Sequence, residues 1–253
     1  MPDYREFSSD GVRIRFVDEG EGEPILLIHG FGSNVEVNWR STGWIDALTG
    51  AGRRIVALDN RGHGGSEKLY EPEAYHPAVM AEDSARLLRH LGISHADVMG
   101  YSMGARIAAF LALGHADLVR SVILGGLGMA LVDGMGDTDE IIAALEAPGL
   151  DSVEGETGRI YRKFADQTRA DRKALVACLR GSRATLSPNQ LAEIDMPALV
   201  AIGTRDKVAG SGEKLASLIP NAEFLAIPNK EHLPATGDKV FKAGALEFLE
   251  RRS

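Results

Sequence analysis

Five short runs of the chain, Pro24–His29 (PILLIH), Arg54–Leu58 (RIVAL), Asp97–Tyr101, Ser121–Leu124 and Ala198–Ile202 (ALVAI), are rich in Val, Ile and Leu and scarcely alternate with polar residues. A strand of that composition must be covered on both faces, as strands are in a parallel sheet flanked by helices. Glu223–Ile227 (EFLAI) is a weaker strand candidate, and Tyr4–Ser8 and Val12–Asp18 turn at Asp10-Gly11 as a hairpin. Helical spacing appears between the runs at Ile45–Ala51, Ala78–Leu91, Met103–Leu113 and Val240–Arg251. The alternation predicts a doubly wound, mostly parallel α/β sheet with the opening hairpin as its antiparallel edge.

One segment breaks the rhythm. Residues 129–193 contain no convincing strand and read as three helical pieces, Thr138–Leu145, Thr157–Gln167 and Asp171–Leu179. This is expected to be a helical insertion between two consecutive strands. The sheet core would then comprise residues 1–128 and 194–253.

Bulk properties narrow the function. A net charge of −8 with scattered Lys and Arg argues against nucleic acid as the partner, which needs a basic surface. Cys178 is the single cysteine, so no intramolecular disulfide can form. The opening MPDYREFSSD has no apolar run of a secretion signal, and no segment reaches the ~20 apolar residues needed to span a bilayer. A cytoplasmic enzyme with no membrane partner is expected; the oligomeric state is not readable.

The chemistry centres on Gly100-Tyr101-Ser102-Met103-Gly104. A sharp strand-to-helix turn thrusts its central side chain beyond the sheet edge, and glycines two positions either side relieve the crowding. Ser102 would project where open α/β sheets bind ligands. A serine hydroxyl needs a base, and the base an orienting acid. His232 follows the last predicted strand and would overhang the same edge. Asp206 lies just past Ala198–Ile202, with Asp133 as the substitute acid. The order Ser102, Asp206, His232 matches one hydrolase architecture. The glycines of His29-Gly30-Phe31-Gly32-Ser33 would let the Phe31 N–H, with the Met103 N–H, face an oxyanion. His29 itself is read as bracing that turn.

With HGFGS (His29–Ser33), LDNRGHGGS (Leu58–Ser66), GYSMG (Gly100–Gly104), GTRD (Gly203–Asp206) and the His232 loop in this order, the sequence resembles the α/β-hydrolase superfamily. The motif GYSMGA resembles its serine carboxylesterase and enol-lactonase branch. That resemblance implies an acyl-enzyme on Ser102, His232 as base and then acid, Asp206 as its orienting acid, and no cofactor or metal. It makes Asp59 and Arg61 loop braces and residues 129–193 a cap over the substrate. Serine rather than aspartate at position 102 disfavours the dehalogenase and epoxide-hydrolase branches. Leu233 stands where C–C bond hydrolases often carry tryptophan.

Met129, Leu131, Val132, Tyr161 and Leu233 are the expected pocket residues, with Met135, Ile141 and Ile142 as further apolar lining. Arg159, Arg162 and Lys163 are candidates for an anionic substrate. The expected partner is a small ester or lactone. The alternatives are an enol-lactonase or C–C bond hydrolase using the same triad and, in another class, a ligand-binding protein without turnover.

Overall fold

The computed structural model describes residues 3–136 and 138–252. Strands β1 (Arg5–Ser9) and β2 (Val12–Glu19) form the hairpin, and β2 runs antiparallel to β4 (Arg53–Leu58). The strands β3 (Glu23–Ile28), β4, β5 (Ala96–Tyr101), β6 (Val119–Gly125), β7 (Ala198–Gly203) and β8 (Ala222–Ile227) are parallel. The spatial order is β1-β2-β4-β3-β5-β6-β7-β8, so the hairpin is an antiparallel edge.

After β3 a π-helical turn, Glu36–Arg40, leads into α1 (Trp44–Gly50); α2 (Pro77–His90) follows β4 and α3 (Met103–Gly114) follows β5. Between β6 and β7 lie α4 (Ala130–Asp133), α5 (Asp139–Glu146), α6 (Glu156–Gln167), α7 (Arg172–Gly181) and α8 (Pro188–Leu191). The helix α9 (Gly212–Ser217) joins β7 to β8, and α10 (His232–Ala235) and α11 (Lys239–Arg251) complete the chain. No helix of the described residues is long and apolar enough to cross a membrane.

Pleating sends alternate residues of each inner strand to opposite faces. Ile25, Leu27, Ile55 and Ala57 pack with Trp44 and Leu48 of α1 and Phe241 of α11. Leu26, Ile28, Val56 and Leu58 pack with Leu88 of α2 and Ile107 and Leu111 of α3. Both faces are buried, which is why the strand sequences carry no polar alternation.

The segment between β6 and β7 has its own apolar cluster, built from Ile141, Ile142, Leu145, Leu175, Val176 and Leu179. Its arginines serve that cluster. Arg162 is buried, donating to the Ala144 and Ala147 carbonyls at 2.9 and 2.8 Å and pairing with Asp166. Arg172 also reaches the Leu145 and Ala147 carbonyls, both at 3.0 Å. Those acceptors belong to the C-terminal turn of α5, where orphan carbonyls and the helix dipole favour a cation. Arg162 is therefore not a ligand for an anionic substrate, and Arg159 and Lys163 are exposed on α6.

Two buried histidines fix the loops at the carboxyl ends of β3 and β4. His29 Nε2 accepts the Asn60 N–H at 2.9 Å, while Nδ1 donates to Gly30 O at 2.8 Å. The ring is thus held neutral, bracing the turn. His63 stacks edge-on against it, ring centroids 5.3 Å apart. Burial, and then the proximity of His29, depress the His63 pKa to about 3, and burial lowers that of His29.

A histidine whose folded pKa lies below its unfolded value, about 6.5, binds more protons unfolded. Stability is full above that unfolded value and falls as pH drops from about 6.5 toward about 3. Urea titrations should show a loss of about 1 kcal/mol from His63 between pH 6 and pH 5. His63→Asn should remove that share of the slope.

Candidate active site

At the end of β5 the chain turns into α3 at one residue. Ser102 has φ 56° and ψ −114°, a strained conformation for a residue with a side chain. Its N–H donates to Gly125 O at 2.8 Å, anchoring the turn to β6. A Cβ on Gly100 would collide with the Gly104 carbonyl, and one on Gly104 with the Ile28 carbonyl. Both glycines are therefore steric requirements of a helix laid directly against two strand ends.

His232 Nε2 lies 2.9 Å from Ser102 Oγ, and its Nδ1 lies 2.7 Å from Asp206 Oδ2. Residues 130 and 26 positions from His232 thus meet on one imidazole. Asp206 Oδ1 accepts the N–H groups of Val208 and Ala209 at 2.8 and 3.0 Å. Burial alone would raise the Asp206 pKa, but the His232 hydrogen bond and charge, with those two amides, hold it below the usual carboxylate range. The acid stays ionised and directs one tautomer, leaving Nε2 to face the hydroxyl. Asp133, the substitute acid, is exposed and takes no part. His232 is the first residue of the short helix α10, where the sequence suggested a loop.

Phe31 and Met103 both line the cavity beside Ser102. Among the described residues neither N–H has a backbone acceptor, so both donors are available to an oxyanion. Asp59 and Arg61 are structural. Asp59 accepts from Arg15, Val35 N–H and Gly65 N–H, while Arg61 pairs with Asp83 at 2.7 Å. Cys178 is buried with its Sγ 3.6 Å from Met103 Sδ; burial lifts its pKa to about 12, which keeps it a packing thiol.

A cavity of about 230 Å³ opens from Ser102 under α5–α7. Ile141, Tyr161, Phe164 and Leu179 form its roof, with Met135, Val208 and Leu233 exposed at the rim. Tyr161 and Leu233 are thus pocket residues, but Met129, Leu131 and Val132 are not. Leu131 is wholly buried in the main core, with Met129 and Val132 packed against that cluster. A four-residue helix presents one side to the cavity, and α4 presents Ala130. Ile142 likewise turns into the insertion's own core.

Two contributors carried no sequence signal. Tyr101, the residue before Ser102, donates its hydroxyl to the His232 carbonyl at 2.5 Å; burial raises its pKa, keeping it a donor. Asn38, in the π-helical turn, accepts the Gly30 N–H on Oδ1 at 3.0 Å and faces the cavity.

A serine, an imidazole and a carboxylate joined by hydrogen bonds at the carboxyl edge of a mostly parallel sheet define the hydrolase class of α/β proteins. Residues 23–178 match the family model described as the alpha/beta hydrolase fold, and the chain belongs to that family. It is 28% identical to a non-heme chloroperoxidase of Kitasatospora aureofaciens, over 96% of this chain and 98% of that one. It is 26% identical to a 2-hydroxy-6-oxo-6-(2'-aminophenyl)hexa-2,4-dienoic acid hydrolase of Metapseudomonas resinovorans, over 98% of this chain and 91% of that one. The enol-lactonase of Burkholderia xenovorans superposes with a TM-score of 0.81 at 22% identity, covering 98% of this chain and all of that one.

Tyr101→Phe keeps the ring and removes the donor to the His232 carbonyl. Leaving that buried carbonyl unpaired should cost about 1–3 kcal/mol, read as a lower urea midpoint at unchanged slope.

Proposed function

We propose that this hydrolase cleaves carboxylic esters or lactones through an acyl-enzyme on Ser102. The observation that carries this reading is the unbroken relay from Asp206 through His232 to the strained Ser102. As Ser102 Oγ attacks the carbonyl carbon, its proton passes to His232 Nε2, and ionised Asp206 offsets the imidazolium charge. The carbonyl oxygen becomes an oxyanion held by the Phe31 and Met103 amides, aided by the dipole of α3. His232 then gives its proton to the departing alkoxide. Water, deprotonated by the same nitrogen, attacks the acyl carbonyl and restores Ser102. The chain's own groups suffice for these steps, with no metal or cofactor in any of them.

A second reading is C–C bond hydrolysis or enol-lactone opening with the same triad. It draws support from the relative named as a dienoic acid hydrolase and from the likeness to the enol-lactonase. Leu233, aliphatic beside the imidazole, favours the ester reading. A ligand-binding protein without turnover would have no use for both a strained serine and a two-bond imidazole.

Kinetics on a series of methyl and p-nitrophenyl esters, run beside an enol-lactone and a vinylogous 1,5-diketo acid, separate these readings. Ser102→Ala should lower kcat by about 10³-fold or more with an unaltered far-ultraviolet spectrum. Residual turnover near the wild-type rate would remove Ser102 from the mechanism.

The roof should set acyl preference. Ile141→Ala and Leu179→Ala enlarge the cavity, so the ratio of kcat/KM for octanoate to acetate esters should shift by about 10–200-fold. Acetate turnover itself should change little, since an acetyl group is too short to reach the roof.

A further inference from the structure

One cation is built into the cavity wall without a paired acid among the described residues. Arg106 is 2% exposed and lines the same cavity as Ser102. It lies one helical turn beyond the serine, its N–H donating to Ser102 O at 3.1 Å, so both residues share one face of α3 about 6 Å apart along the axis. The guanidinium donates to Ala184 O at 2.5 Å and Ala130 O at 2.8 Å, which uses two of its five N–H donors. Among the described residues no carboxylate lies within ion-pair distance of it. The other deeply buried arginines are treated differently: Arg61 pairs with Asp83 and Arg162 with Asp166.

An uncompensated buried charge is costly, and backbone carbonyls alone do not neutralise it. Burial lowers the Arg106 pKa to about 10, so the group remains cationic near neutrality. A second donor in the same cavity is also unused. Asn38 is 6% exposed, and Gly30 N–H fixes its amide so that Nδ2, which has no acceptor among the described residues, is the free end. The cavity thus holds spare N–H donors and one net positive charge in an otherwise largely apolar wall.

We propose that the substrate carries a carboxylate besides the scissile carbonyl, and that Arg106 holds it along the first turn of α3 while the carbonyl lies at Ser102. This rests on the ester or lactone reading given above. A carboxylate suits the site better than a phosphate because a monoanion matches a single cation, whereas a dianion would bury surplus charge. Arg106 is thereby a specificity residue, selecting half-esters of short dicarboxylic acids, or lactones bearing an acid, over neutral esters of the same shape.

The test compares methyl hydrogen glutarate with methyl 5-methylhexanoate, in which an isopropyl group replaces the carboxylate at nearly equal volume. The half-esters of succinate and adipate set the spacing. Wild-type kcat/KM should favour one half-ester by about 10–100-fold, the range of a charge-assisted hydrogen bond. Arg106→Met should lose that factor on the half-ester and stay within threefold on the neutral ester. Preference for the neutral ester at all three spacings, or equal losses on both substrates, would overturn the proposal and leave Arg106 a tie between Ala130 and Ala184.

Should the Met variant fail to fold, the wild-type preference still decides, and Arg106→Lys should keep part of it. Calorimetric binding to Ser102→Ala separates this inference from the chemistry. Tighter binding of the half-ester, abolished in Ser102→Ala/Arg106→Met, supports it even if no ester is turned over. Hydrolysis of neutral esters by wild type, with no tighter binding of any half-ester, would sustain the ester reading and reject the carboxylate site.

Discussion

The site depends on how closely α3 lies against the ends of β3 and β5. Residue 104 has no room for a side chain because the Ile28 carbonyl occupies that space, and residue 100 is pressed against the helix's first turn. Ser102 takes the strain, with a left-handed φ that a looser junction would not require. That packing brings the serine, the first amide of α3 and the loop after β3 to one point. Every other part of the site is arranged around a hydroxyl whose position the backbone has already fixed.

The sheet and the relay were legible because their causes are local or ordinal. Strands buried on both faces write themselves as unbroken apolar runs, and the elbow writes itself as two glycines around a serine. Asp206 and His232 follow from where β7 and β8 end. The cavity wall was less legible. Met129, Leu131 and Val132 have the right composition and lie at the entrance to the insertion, yet which of them faces a ligand depends on the rotation of a four-residue helix. No periodicity can be read over one turn. Asn38 was equally silent, since a single π-helical turn leaves no pattern.

The arginines show the same limit from the other side. Clustered charge on α6 suggested an anion site, but Arg162 is spent on the carbonyls that close α5. The unspent cation stands on α3, inside a run, MGARIAAFLALG, whose composition is that of a buried helix. In sequence Arg106 reads as an interruption of an apolar face. Only the three-dimensional neighbourhood shows that, among the described residues, its charge has no carboxylate partner while that of Arg61 does.

Thr168, at the end of α6, gives its hydroxyl to the Gly32 carbonyl at 2.9 Å, and Phe164 packs over Gly32 close to where a side chain would start. Gly32 is the residue after Phe31, whose amide is the proposed oxyanion donor. The roof and the oxyanion loop are thus fastened together one residue from the reacting centre. The loop after β3 is therefore positioned from two sides, by the sheet beneath it and by α6 above it.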